Sequence, residues 1–252
     1  MIEEKTDLII NKTIFDSDLD DWFFESSQFA NKLMDKNRIM ILIEDTKGNL
    51  FGCYINEMIK KAGVYINDPN AFIFSLRLID KNEIKIYPIK DSSKAFVVYS
   101  RENHKLFSCG EGKDGKNDDL TIMKSNKQYE EPRNGSTPHS YDFGKKTKGL
   151  FDGNHFIVKR IMIYQMDESS ERKNQKLRQI TEKTIRTKRK EIQQLEEWSE
   201  TIFKEVIFDS EINSWGRYHS DFDSIVFGKD KLIFLIEDEE GNVFGGYINS
   251  KM

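Results

Sequence analysis

A stretch of 44 residues occurs twice in this chain. Residues 14–57 and 207–250, displaced by 193 positions, align without a gap and share 19 identities. Any architecture therefore has to contain one local structure that both copies can form. In each, an apolar run of five (39–43 and 232–236) leads into a polar turn, Glu44-Asp45-Thr46-Lys47-Gly48-Asn49 or Glu237-Asp238-Glu239-Glu240-Gly241-Asn242, and then into Phe-Gly-x-Tyr-Ile. That order spells a β-hairpin with a glycine-containing loop. Gly48 and Gly241 stand where the backbone has to turn left-handed. An apolar run without alternation predicts a strand covered on both faces. Cys53 is answered by Gly246, so the fold asks for no thiol there. After the first copy, Asn56 is placed to cap a short helix over 57–63, with Gly63 as its stop.

Further strand-like segments follow the first copy: AFIFSL at 71–76, EIKIYPI at 83–89, AFVVYS at 95–100, DLTIMK at 119–124 and HFIVKRIMIYQM at 155–166. They are short, rich in Ile, Val, Phe and Tyr, and separated by Asn, Gly, Asp and Pro. The expected class is α+β, mainly β: a two-sheet antiparallel β-sandwich with short flanking helices. Between the copies, residues 169–206 form a charged linker, free of Gly and Pro from residue 169 on and full of helix formers. Ile185, Ile192, Leu195, Ile202 and Val206 are spaced by 3, 4 or 7, whereas Leu177 and Ile180 join that register only if one residue is skipped. This predicts a long helix with an imperfect coiled-coil seam. The expected organisation is a lead-in over 1–13, a sandwich domain over 14–168, the helical linker over 169–206, and a truncated second copy over 207–252. A lone hairpin is marginal in water and exposes unpaired edges. Residues 231–249 are therefore expected to pair with something, for example by taking the place of residues 38–56 in the same chain or a partner, or to dangle as a half-domain.

Charge narrows the function classes. The 252 residues hold 39 Lys and Arg against 43 Asp and Glu, a net charge of −4, so the whole chain carries no electrostatic footprint for specific nucleic-acid binding. A local exception is the stretch 171–190, with nine basic residues and two Glu. It has no Trp or Phe interleaved for stacking or membrane insertion, and reads as a solvated helical face. Only two cysteines are present, Cys53 and Cys109, with no CxxC pair, which suits a reducing compartment. No apolar run reaches the roughly 20 residues of a membrane span, and the N-terminus lacks a signal-peptide pattern. The expected localisation is cytoplasmic.

Catalytic and metal motifs are weak. GEGKDG at 110–115 matches the dinucleotide fingerprint in letters, but that motif needs a following helix to hold the pyrophosphate, and a strand comes next. His104, His139, His155 and His219 lack zinc-ligand spacing. STPHSYD at 136–142 places Ser, His and Asp close in sequence, although a triad is a matter of spatial geometry. Asp114, Asp118 and Asp119 lack the calcium-loop pattern. Cys109, near Lys105 and Lys113, is either a thiol activated by the neighbouring ammonium groups or a buried, inert strand residue.

Taken in order, Phe29, RIMILIEDTKGNLFGCYI, AFIFSL, the Ile-rich Tyr-Pro strand, LFSCGEG leading into DLTIM, SYDFG and HFIVKRIMIY resemble the TLDc domain over residues 14–166. LFSCGEG departs from the family, which commonly has Phe-Gly near this point, and FGGYI at 244–248 is nearer the family's usual spelling than the first copy. The resemblance implies a two-sheet sandwich and a cytosolic role in resistance to oxidative stress. It also implies action by binding, with the vacuolar proton-pumping ATPase (V-ATPase) as partner. No catalytic, cofactor-binding or metal residues come with it, and no cofactor is expected. The alternative is a redox-active or hydrolytic enzyme that uses Cys109 or the His139 loop. Self-association through the helix or through a hairpin swap is a further expectation.

Overall fold

β2 (Ile39–Asp45) and β3 (Leu50–Ile55) form the hairpin spelled by the repeat, in antiparallel register from Ile39 opposite Ile55 to Glu44 opposite Leu50. The turn is held from within: the backbone N–H and side-chain amide of Asn49 both donate to the Asp45 carboxylate, at 2.8 and 2.7 Å. Gly48 supplies the left-handed backbone at φ +86°. The computed structural model describes residues 2–24, 26–78, 84–112, 118–125, 134–135, 137–144, 150, 155–216 and 219–252. The chain divides into two units, Met1–Asp167 and Glu168–Met252.

In the first unit, β1 (Ile9–Asp16), β11 (Val158–Asp167), β2, β3, β4 (Phe72–Arg77) and β5 (Lys85–Pro88) make one antiparallel sheet in that spatial order. A second is ordered β10 (His155–Phe156), β9 (Asn134–Gly135), β8 (Leu120–Met123), β7 (Lys105–Cys109) and β6 (Phe96–Val98). One buried cluster draws on both sheets: Ile39, Ile41, Ile43, Phe51, Cys53 and Ile55 from the first, and Phe96, Val98, Phe107, Cys109, Leu120 and Ile122 from the second. The other face of the first sheet is also covered. Met40, Tyr54, Phe72 and Phe74 pack with Ile2 of the short helix α1 (Ile2–Thr6) and with Leu8. This double coverage is why residues 39–43 carry no polar alternation.

Three local expectations are corrected. Residues 57–63 form no helix, because the N–H groups of Asn56 and Glu57 are taken by the Asp68 carboxylate at 2.6 and 3.1 Å, and Ile59, fully buried, exchanges backbone hydrogen bonds with Asp35 and Lys36. The segment 155–166 is not one strand. It divides at Ile157, whose carbonyl accepts from Thr46 at 2.9 Å, and its two parts serve different sheets. The linker is not one long helix either. α3 (Ser170–Thr187) and α4 (Arg189–Ser199) are separated at Lys188, with φ −114° and ψ 38°, and α4 ends at left-handed Glu200. Val206 then donates its N–H to Thr181 Oγ1 at 3.0 Å. In an unbroken helix those residues would stand roughly 37 Å apart at about 1.5 Å per residue.

The second unit repeats the first locally. A helix α2 (Phe29–Leu33) has its counterpart in α5 (Phe222–Val226). The hairpin β2–β3 has its counterpart in β14 (Leu232–Glu237) and β15 (Val243–Ile248), whose register, Leu232 opposite Ile248 to Glu237 opposite Val243, is the same ladder displaced by the repeat. A two-residue pair, β12 (Trp215–Gly216) with β13 (His219–Ser220), precedes α5. The edge-to-face pair Phe15–Phe29 at 5.0 Å returns as Phe208–Phe222 at 5.2 Å, and Asn242 holds Asp238 as Asn49 holds Asp45, at 2.8 and 2.9 Å.

Candidate functional site

The residues with catalytic potential converge at the end of β7, where the chain leaves the second sheet. Cys109 is the last residue of β7 and Gly110 follows at φ +71°; a side chain there would run into the carboxylate of Asp119. Asp119, at the start of β8, accepts three backbone N–H groups: His139 and Tyr141 on one oxygen at 2.7 and 2.9 Å, and Ser140 on the other at 2.7 Å. Burial raises the Asp119 carboxyl above its usual range, and the three donors only partly oppose this. The polar string at 137–142 is thus tied down through its backbone.

Neighbouring groups complete the latch. The Ser140 hydroxyl accepts from the Glu111 N–H at 3.1 Å, and the Ser140 carbonyl accepts from Lys90 at 2.8 Å. The Tyr141 hydroxyl, fully buried, donates to the Ala95 carbonyl at 2.7 Å. Asp118 pairs with Lys105 at 2.7 Å and accepts from Thr121 at 3.0 Å. Burial pulls the Lys105 ammonium down, but its bond to Asp118 outweighs this and holds it above the ordinary lysine range. Lys94 pairs with Glu111 at 2.6 Å and lies over the Tyr65 ring, whose hydroxyl donates to the Gly110 carbonyl at 3.1 Å. β5, β6, β7, β8 and the loop after Thr137 are joined here by side chains that reach for backbone atoms. Sequence reasoning found Asp119 only as part of an acidic cluster. Its partners lie about twenty residues away, a spacing that carries no local signal.

Each candidate residue can now be placed. Cys109 is fully buried beside Cys53, the two thiols coming from opposite sheets, and burial pushes the Cys109 thiol well up. That is the environment of an unreactive thiol. His139 approaches Ser140 Oγ at 3.4 Å, but Asp119 takes its backbone N–H rather than its ring. No Ser-His-Asp relay results from these contacts. Ser136, Lys113, Asp114 and the latter half of GEGKDG lie outside the described residues, and no helix follows Gly112 among the described residues before β8. His104 stacks on Phe24 at 4.1 Å between ring centroids. No group of three or more His, Cys, Asp or Glu among the described residues is arranged to hold a metal ion. On α3, Lys176 pairs with Glu168 at 2.7 Å and Lys173 with Asp221 at 3.5 Å, so part of the basic stretch is engaged within the second unit. No helix among the described residues is long and apolar enough to cross a membrane.

Among curated proteins no match to the chain was found. The TLDc domain model, in contrast, matches residues 6–167. The match takes in every strand of the two sheets and stops where the first unit stops. It spans well over half the chain, which therefore belongs to the TLDc domain family.

Proposed function

We propose that the chain is a non-catalytic interaction module of TLDc type that docks on a large cytosolic assembly. The V-ATPase is the partner suggested by the family resemblance, and protection against oxidative stress is the process it serves. The observation that carries this reading is the use made of the polar residues at the end of β7. Asp119, Ser140 and Tyr141 are spent on backbone atoms, and Cys109 is sealed in the core. Such a site supports shape and charge display better than turnover. In this reading the basic segment around α3 sets docking geometry, and residues 207–252 are a second, partial TLDc-type copy.

The test is co-purification of the full chain, and of a chain lacking residues 168–206, with solubilised V-ATPase from a cell extract. The full chain is expected in the complex, with weaker recovery for the deletion. Recovery of neither counts against the reading. The enzymatic alternative requires that Cys109→Ser or His139→Ala abolish a peroxide-consuming or hydrolytic activity while the melting temperature stays unchanged. That outcome would replace the docking proposal.

A further inference from the structure

The hairpin of the second unit keeps every local feature of the first except its surroundings. In the first unit β11 pairs with the outer edge of β2 and β4 with that of β3, and Ile43 and Phe51 are fully buried. Among the described residues, no strand pairs with the outer edge of either β14 or β15. The equivalent Ile236 and Phe244 are 53% and 54% exposed. Yet the faces remain built for cover. The cross-strand pair Ile41–Cys53 has become Phe234–Gly246, an exchange in which a larger side chain on one strand compensates for a smaller one opposite. The two edges differ. β14 reads Leu-Ile-Phe-Leu-Ile-Glu with no glycine, whereas β15 carries Gly245 and Gly246 side by side. An open apolar edge of this kind templates pairing with another chain.

Charge identifies the partner. The turn of this hairpin is four acids in a row, Glu237 to Glu240, where the first unit has Glu44, Asp45, Thr46 and Lys47. The open end of the hairpin carries Lys229, Lys231 and Lys251 with Asp230. One end is negative and the other positive, so the edge complements its own copy when the two run antiparallel. We propose that two copies of this chain associate through β14 against β14 about a two-fold axis near Phe234, forming a continuous four-stranded sheet. In that register Leu232 faces Ile236 and Ile233 faces Leu235 of the other chain. Lys231 comes beside Glu237 and Lys229 beside Glu239, each twice by symmetry. Asp230 and Asp238 meet as like charges, but the Asp238 carboxylate is already bonded by Asn242. The contact is isologous and closes at two copies. A swap of the hairpin into the first unit is the less economical route, since it must expel β2 and β3, each paired on both sides. This self-association does not depend on the docking function proposed above.

Sedimentation velocity of the full chain tests it. A concentration-dependent dimer is expected that weakens with added salt. Lys229→Glu with Lys231→Glu makes both ends acidic, and Glu237→Lys with Glu239→Lys makes both ends basic. Either double variant alone is expected to dimerise at least about tenfold more weakly, as apposed like charges oppose association. An equimolar mixture of the two is expected to recover the dimer, because each end then meets its opposite. Circular dichroism of each variant confirms an intact fold. A chain that stays monomeric at roughly 100 µM, a dimer indifferent to the charge reversals, or open-ended aggregation in place of a dimer would each overturn the proposal.

Discussion

Asp119 is the residue on which most of the latch depends. Asparagine at this position keeps one acceptor oxygen and presents an NH2 group to a backbone donor, so at least one of the three buried N–H groups loses its partner. With an unsatisfied buried donor costing about 1–3 kcal/mol, Asp119→Asn is expected to lower the melting temperature by roughly 4–10 °C, as measured by calorimetry. The carboxyl is raised in the folded state from an ordinary value of 3.8. A raised acid binds more protons folded than unfolded, so its contribution is fullest below that value and is lost as pH rises through the folded value. The stability advantage of the wild type over Asp119→Asn should therefore be largest in acid and narrow as the pH climbs through that window. Unfolding curves of both proteins from about pH 3.5 to pH 7 check the sign. The two thiols give a second residue-scale expectation. Cys53 and Cys109 are both fully buried, so a thiol reagent should modify neither in native protein and both in denaturant.

Hairpins β2–β3 and β14–β15 are one element in two environments, and a single substitution can report the difference. A side chain at Gly52 would run into the Ile41 carbonyl, and one at Gly245 into the Phe234 carbonyl. The local clash is the same, but Gly52 is also crossed by the Phe74 ring from β4, which leaves β3 no room to shift. Gly52→Ala is expected to destabilise the first unit by about 2–3 kcal/mol, a loss visible in thermal unfolding. Gly245→Ala strains a hairpin that no neighbouring strand confines. It is expected to leave the main transition within about 0.5 kcal/mol of the wild type, and equal losses for the two variants would show that the second hairpin is confined as tightly as the first.

As a whole molecule the chain joins a unit with two sheets and two buried clusters to a unit whose hairpin lies largely in solvent. Residues 1–167 contain every member of both clusters, and stability in a domain of this size comes mainly from such burial. A chain ending at Asp167 is expected to unfold in one cooperative transition within about 3 °C of the full chain's main transition, a shift worth about 1 kcal/mol. Loss of that transition would mean that residues 168–252 contribute to the first unit's stability.

The repeat, the doubly covered strand at 39–43, the antiparallel class of the strands and the family were all written in the residue order, because each rests on local periodicity, turn chemistry or motif succession. The break at Lys188, the division of 155–166 between two sheets and the missing helix at 57–63 were not. In each case a distant group, Thr181, Thr46 or Asp68, claims a backbone atom that local preference would have used otherwise. The latch was illegible for the same reason, since Asp119 meets its donors across about twenty residues of chain. Identical words also produced unequal results: the hairpin spelled twice folds twice, but only the copy flanked by β4 and β11 is buried. A strand's shape follows from its own residues, whereas its burial depends on the strands beside it.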